Sequence, residues 1–245
     1  MQISDDLYLG SAVCGGNFLS DGPSPMSVGV GPLGRVYVYD IVPAALAANN
    51  LATSQNPGSG ASFTLTAGAG ITAVTVNGQA GYQLDVPRAV RIVAAGANTA
   101  TYTISGYDVY GQAMTQTLAA PSTSTVTTTK AFKVITSITN ANATAGTNGL
   151  TVGTADVFGL PFRVTDVAYI LSVKWDATLA SNAGTFVAAV QTSPATASTG
   201  DVRGTFAQTG NASDGSRRLV IAFAIPALGS GPSATRVGAF GVTQA

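Results

Sequence analysis

Residues 99–118 have the sequence TATYTISGYDVYGQAMTQTL, and this stretch decides the fold class. Apolar and polar side chains alternate on both sides of a short centre that contains glycine, which is the pattern of two half-buried strands. Asp108 favours a turn because its carboxylate can accept hydrogen bonds from nearby backbone N–H groups, and Gly111 can adopt positive φ. The stretch therefore predicts a β-hairpin.

The same centre is also a candidate active site, since it places Asp108 between Tyr107 and Tyr110. Catalysis there would need a group that transfers protons near neutral pH, and the chain has no histidine. The lack of histidine also excludes Ser-His-Asp and Cys-His sites. We therefore interpret the centre as a turn, with both tyrosines leaning on the strands and their hydroxyls in water.

Strand-like segments continue from Ser54 to the end of LVIAFAI at residue 225. SFTLT predicts a strand with Phe63 and Leu65 on one face, and YQLDVP and AVRIVAAG predict two separate strands. The only segment that favours a helix is PAALAANN, residues 43–50, with proline at its first position. Asn-Gly and Asp-Gly pairs indicate turns at residues 77–78, 148–149 and 214–215.

This succession predicts an all-β fold, a β-sandwich or jelly-roll-like arrangement with an extended N-terminal arm and the option of two β lobes. The predicted divisions are an arm at 1–34, a β-domain at 35–225 with sub-lobes at 54–160 and 161–225, and a loose C-terminal segment at 226–245.

Charged residues make up only 9 % of the 245 residues, and the net charge is zero. A neutral chain has no long-range attraction for nucleic acid or for an anionic membrane. A weakly charged surface also promotes association, so we expect part of the surface to be covered in an assembly. The early acidic residues and the missing signal-peptide pattern lead us to expect synthesis and assembly in a cytoplasm.

The other candidate sites are weak. Asp156, Asp166 and Asp176 recur at ten-residue intervals, but each is expected near a strand end, where aspartate commonly forms turns. GVGPLG at 29–34 matches a dinucleotide-binding pattern but precedes a predicted strand instead of a helix. Cys14 is the only cysteine and has no partners for a zinc or redox site. We therefore expect no catalytic residues, no metal and no cofactor.

The N-terminal segment combines irregularity with apolar side chains. Its glycine, proline and serine residues discourage regular structure. A free linker would gain nothing from large apolar groups, so we predict an arm that binds another surface. Its candidate contact residues are Leu7, Tyr8, Leu9, Phe18 and Leu19.

Six segments also occur together in a characteristic order: YQLDVPRAVRIV, TISGYDVYGQAMTQTL, KAFKVITSI, GTADVFGLPFRV, GDVRGTF and SDGSRRLVI. In this order they resemble tailed-bacteriophage virion proteins that decorate or cement the head shell. The resemblance implies an all-β structural protein on the capsid exterior, with no catalytic residues to carry over. Its partners would be the major capsid protein and further copies of itself, as a homodimer or homotrimer, with no nucleic acid and no membrane.

Two other functions stay open at this stage. A phage tail, fibre or glycan-binding module would need an exposed aromatic platform, whereas Trp175, the only tryptophan, lies in a predicted strand and is expected in the core. A glycosidase could use pairs of aspartates. The lack of histidine, glutamate and a partnered cysteine argues against that enzyme.

Overall fold

A computed structural model describes residues 35–96, 98–119, 125–142, 149–176, 178–179, 184–190 and 200–225. These residues form fourteen β-strands and one short 3₁₀ turn, which confirms the predicted all-β fold. Threonine, valine and isoleucine favour such strands, because their branched side chains pack well on a pleated surface. The strands are β1 (Arg35–Ile41), β2 (Ala52–Gln55), β3 (Ile71–Val76), β4 (Gln79–Val93), β5 (Tyr102–Tyr107), β6 (Ala113–Leu118), β7 (Thr125–Thr127), β8 (Phe132–Asn140), β9 (Leu150–Gly159), β10 (Ile170–Trp175), β11 (Thr178–Leu179), β12 (Gly184–Val187), β13 (Thr205–Gln208) and β14 (Leu219–Ile225), with the 3₁₀ turn at Val167–Tyr169.

The strands form two antiparallel sheets that pack as in a β-sandwich. The small sheet has the order β1-β14-β10-β11. The large sheet follows the path β12-β13-β9-β4-β8-β5-β6, with β2 pairing to β9 and both β3 and β7 pairing to β4. Strands from the second half of the chain therefore occur in both sheets, and the predicted sub-lobes stay a prediction.

Two apolar clusters form the core. The first lies within the large sheet and includes Phe63, Tyr102 and Phe132. The second joins the sheets, with Phe158 from the large sheet packed beside Trp175 from the small one. Trp175 is buried, as predicted.

Two of the predicted turns, at Gly111 and at Asn77-Gly78, join neighbouring strands into hairpins. β5 and β6 pair from Tyr102 opposite Leu118 to Tyr107 opposite Ala113, and Gly111 has a φ of 78° in the turn. The Asn77-Gly78 turn joins β3 to β4 with both residues at positive φ.

Residues 79–93 form one long strand instead of the two predicted from the sequence. Proline lacks a backbone donor and often ends a strand, but Pro87 does not interrupt β4. It instead lies where the pairing of β4 to its neighbour β8 shifts register, between Gln83 and Arg88. At such an irregularity the missing N–H costs no ladder hydrogen bond.

The predicted helix at 43–50 is wrong, because this segment is extended and ends in bends. Its backbone groups bond to other parts of the fold: Leu46 donates to the Ser213 carbonyl, and the Ala47 carbonyl accepts from the Thr154 N–H. These tertiary hydrogen bonds replace the ones that a helix would make.

SFTLT is also not a regular strand, although Phe63 and Leu65 are both buried on one face as predicted. The Gln55 side-chain amide bonds to both the N–H and the carbonyl of Thr64. A side chain thus takes the place of a neighbouring strand.

Candidate interaction surface

Arg88 lies at the centre of a buried polar network between the two sheets. Its side chain is almost fully buried, and its guanidinium contacts Asp85 at 3.4 Å and Asp156 at 2.7 Å. It also donates to the Ser213 hydroxyl at 3.0 Å and to the Ala44 carbonyl at 2.9 Å. We call Arg88, Asp85, Asp156 and Ser213 the Arg88 network. It ties β4, β9 and two irregular segments together.

The charges of the Arg88 network are balanced by neighbouring cations. The Lys133 ammonium donates to the carbonyls of Leu84 and Asp85, at 2.6 and 2.8 Å. Burial lowers the pKa of Lys133, and the Asp85 carboxylate opposes that shift. Two carboxylates beside two cations leave no surplus negative charge for a metal. Among the described residues no group of three metal-ligating side chains comes together.

Asp108 joins the β5–β6 turn to the rest of the large sheet. One carboxylate oxygen accepts from the Tyr110 and Gln112 N–H groups, at 2.8 and 2.9 Å, as the turn prediction requires. The other oxygen forms a buried ion pair with Arg203 at 2.8 Å. Both Asp108 oxygens therefore stabilise the fold, and the contact with Arg203 holds the turn in place from outside the hairpin.

Tyr110 corrects one detail of the sequence interpretation. Its hydroxyl does not simply point into water, because it donates to the Pro161 carbonyl at 2.8 Å. The Arg203 guanidinium lies 5.1 Å from its ring centre, in a cation–π arrangement. The ring itself remains largely exposed.

A third buried cation, Lys130, lies beside β6. Its ammonium donates to the Thr115 carbonyl at 3.0 Å, while the Gln116 side chain accepts from the Lys130 N–H. Burial lowers the pKa of Lys130, and Asp201 opposes the shift. Asp201 also accepts from the backbone N–H groups of Ala131 and Arg203.

These buried and half-buried polar residues come from all six segments that are quoted together in the sequence analysis. Charged residues within or next to apolar segments of a charge-poor chain were the signal that could have located most of them. The partners, however, are 68 and 95 positions apart in the two closest buried ion pairs, Arg88–Asp156 and Asp108–Arg203. The contributing residues are Asp85, Arg88, Asp108, Lys130, Lys133, Asp156, Asp201, Arg203 and Ser213.

The three aspartates at ten-residue intervals do not form a common site. Asp156 lies inside β9 instead of at a strand end, and its carboxylate belongs to the Arg88 network. Asp166 caps the 3₁₀ turn by accepting from the Ala168 N–H. Asp176 follows β10 and pairs with Arg217 at the surface.

Comparisons with protein-family models, with curated proteins and with solved structures found no match. The function is therefore inferred from the contacts and the exposed surfaces of the chain.

Four of the seven large apolar residues that are exposed in the described part of the chain lie on or beside the small sheet. Val38 in β1 is 64 % exposed, and Leu171 in β10 is 53 % exposed. Val42 directly follows β1, and Val167 lies shortly before β10. We call these four residues the small-sheet surface. In the sheet, Val38 pairs with Ala222, and Ala222 pairs with Ser172 on the other side, so the outer face between them carries only small side chains.

Several of the exposed charges near this surface are paired with each other. Asp40 accepts from Arg218, and this hydrogen bond lowers the pKa of Asp40. Arg217 contacts both Asp176 and Asp214. These pairs neutralise most of the charge on the described exterior of the small sheet, where Lys174 of β10 is also exposed. Within the described part of the chain no helix is long and apolar enough to cross a membrane.

The remaining candidate residues lie outside the described residues. This applies to the predicted arm contacts Leu7, Tyr8, Leu9, Phe18 and Leu19, to Cys14 and to the GVGPLG segment. The structure does place the attachment points of both terminal segments. Arg35 and Ile225 are register partners, so the segments 1–34 and 226–245 leave the small sheet at the same end.

Proposed function

We propose that this chain is a structural protein of a tailed-bacteriophage virion that binds the outside of the capsid and cements or decorates the shell of the major capsid protein. It acts without catalysis, metal or cofactor, and it self-associates on the shell. Assembly takes place in the host cytoplasm. The observation that carries the proposal is the combination of ion pairs buried inside the fold, Arg88–Asp156 and Arg203–Asp108, with valine and leucine side chains that stay on the outer surface.

This distribution suits a protein whose work is adhesion. The buried ion pairs fix the relative positions of distant segments, which makes a rigid body. Exposed apolar groups give favourable free energy when another surface covers them, at roughly 25 cal/mol per Å². Many copies bound to one shell add avidity without any further contact.

The placement of the termini also supports the proposal. A 34-residue segment that contains the five predicted contact residues is attached at Arg35, beside the small-sheet surface. A segment of this length reaches up to about 110 Å when fully extended, at ~3.3 Å per residue. It can therefore contact capsid subunits well beyond the β-domain.

The alternative, a tail, fibre or glycan-binding module, has less support. The Trp175 indole is buried and donates to the Asn211 carbonyl, so it offers no stacking surface for a sugar. Tyr110 is exposed, but its hydroxyl donates to the Pro161 carbonyl and the Arg203 guanidinium lies over its ring, which leaves less of the ring for stacking on a sugar.

The experiment is co-sedimentation of the purified full chain with undecorated capsids, followed by electron cryomicroscopy of the decorated shells. We expect saturable binding, density for the β-domain outside the shell and a higher melting temperature of the capsids. A glycan array run in parallel separates the alternative. Absence of capsid binding together with specific glycan binding would contradict the proposal.

A further inference from the structure

Most of the described edge strands offer little to another chain, and the exception in the large sheet is β3, which has six uncharged residues and pairs only with β4. β11 has two residues and β12 has four, including Gly184, so both offer little backbone for pairing. β6 has six residues, but the Lys130 ammonium donates to the carbonyl of Thr115 in this strand. Short strands and charged side chains are the usual means by which proteins prevent edge-to-edge association.

β1 is the longest of the described edge strands, and its two charged residues, Arg35 and Asp40, lie towards its ends. It is an edge strand of seven residues and pairs with β14 over its whole length without a register shift. It contains no proline and no lysine, and Val38 at its centre is 64 % exposed. Every second residue of an edge strand points its N–H and carbonyl away from the sheet, so β1 offers a regular row of hydrogen-bonding groups.

We propose that β1 pairs antiparallel with β1 of a second copy of this chain, about a two-fold axis at Val38. The two small sheets then form one continuous sheet, and the protein is a homodimer. The proposal rests on the self-association in the proposed function and names its surface.

A second copy fits this edge because the strand is self-complementary. About a two-fold axis at Val38, each Val38 meets Val38 of the partner subunit, and apolar side chains cover each other. Tyr37 lies opposite Tyr39 of the partner subunit, and aromatic cross-strand pairs stabilise a sheet. Asp40 lies opposite Val36 of the partner subunit, which keeps the two Asp40 carboxylates about 13 Å apart along the strands.

The test uses charge at the axis, because Val38 is exposed and its replacement leaves the core intact. Sedimentation equilibrium of the wild type should give the mass of a dimer. Val38→Lys and Val38→Asp should each weaken the dimer by about tenfold or more, since like charges then meet at the axis. An equimolar mixture of the two variants should restore the dimer, because lysine then meets aspartate.

Val187→Lys is the matched control. Val187 is an exposed valine on β12, an edge strand of the other sheet, and is 51 % exposed. This variant should remain a dimer with unchanged affinity. Circular dichroism and melting temperature check that all variants are folded.

Several outcomes would overturn the inference: a monomeric or trimeric wild type, a dimer that Val38→Lys leaves intact, or a mixture of the two Val38 variants that stays monomeric. Capsid binding is scored separately. If the protein is a dimer but does not bind capsids, only the proposed function is contradicted. If it binds capsids but is a monomer, only the proposed dimer is contradicted.

Discussion

Asp108 shows how one residue serves both a local turn and a distant contact. Its first oxygen organises residues 110–112, and its second neutralises Arg203, which is 96 % buried at the side chain. Desolvating two charges is costly, so such a pair adds little net stability compared with apolar residues. Removing one partner is different, because the other charge remains buried and alone.

We therefore predict that Asp108→Asn destabilises the fold by about 3–5 kcal/mol, the usual cost of breaking a buried pair. Asparagine still caps the turn, so the loss reports the ion pair. The measurement is urea denaturation at pH 7. Asp166→Asn is the control, since asparagine caps a helical turn as well as aspartate does, and it should change stability by less than about 0.5 kcal/mol. Equal stability of both variants would show that the Arg203 contact is dispensable.

Tyr39 and Tyr102 form a contrasting pair. The Tyr39 hydroxyl is buried and makes no hydrogen bond to the described residues, whereas the Tyr102 hydroxyl contacts the Asn98 side chain at 3.4 Å. We expect Tyr39→Phe to raise the free energy of unfolding by about 1 kcal/mol, because an unsatisfied group is removed. Tyr102→Phe should lower it by about 0.5–1.5 kcal/mol. Thermal and urea unfolding measure both, and a destabilised Tyr39→Phe would reveal a partner for that hydroxyl.

The buried hydroxyl of Tyr39 also leads us to expect that the stability of the fold depends on alkaline pH. Burial raises its pKa far above the ordinary value of 10.0, with a smaller contribution from the Asp85 carboxylate. The folded state then keeps a proton that the unfolded state loses, so stability falls as the pH rises above about 10. Tyr39→Phe should weaken this fall. Melting temperatures of the wild type and of Tyr39→Phe, measured from pH 8 to 11, test this expectation. Parallel plots of melting temperature against pH for the two proteins would contradict it.

At the scale of elements, Gly153 determines how the segment at 43–50 packs. A Cβ atom on Gly153, in the middle of β9, would overlap the Ala47 carbonyl oxygen. That carbonyl accepts from the Thr154 N–H and from the Arg91 side chain. Glycine thus lets an irregular segment lie directly against a strand, where a larger residue would separate them.

We predict that Gly153→Ala destabilises the fold by about 1–3 kcal/mol or more, because the contacted atoms belong to backbone that cannot move away cheaply. Gly58→Ala is the control, since a Cβ there meets nothing within 4 Å and its φ is not positive. It should be neutral or stabilising by up to about 1 kcal/mol. Chemical denaturation of both variants gives the comparison, and equal effects would mean that the 43–50 segment can shift.

At the scale of the whole molecule, both terminal segments start from one end of the small sheet, and both apolar clusters lie in the β-domain. Deleting residues 1–34 should therefore leave a folded, strand-rich domain and reduce capsid occupancy. Circular dichroism and co-sedimentation with undecorated capsids measure the two effects. Full occupancy by the truncated chain would contradict the anchoring role of the segment, and loss of the strand signal would assign it to the core.

The sequence alone determined the fold class, the hairpins and the burial of Trp175. Alternation along a strand and Asn-Gly or Asp-x-x-Gly turns act over a few residues, so they are visible without a structure. It also led to the interpretation of Asp108 as a turn residue. What Asp108 contacts beyond the turn was not visible in the sequence.

Only the tertiary structure decided which strands share a sheet, where β1 is left as an edge and which charges meet. Arg88 and Asp156 are 68 residues apart, and Asp108 and Arg203 are 95 apart. The extended course of 43–50 depends on the same kind of distant contact, since its backbone bonds go to β9 and to Ser213. Local sequence patterns report the conformations of neighbouring residues, whereas the pairing of strands and buried charges depends on desolvation and hydrogen bonding between segments brought together by the complete fold.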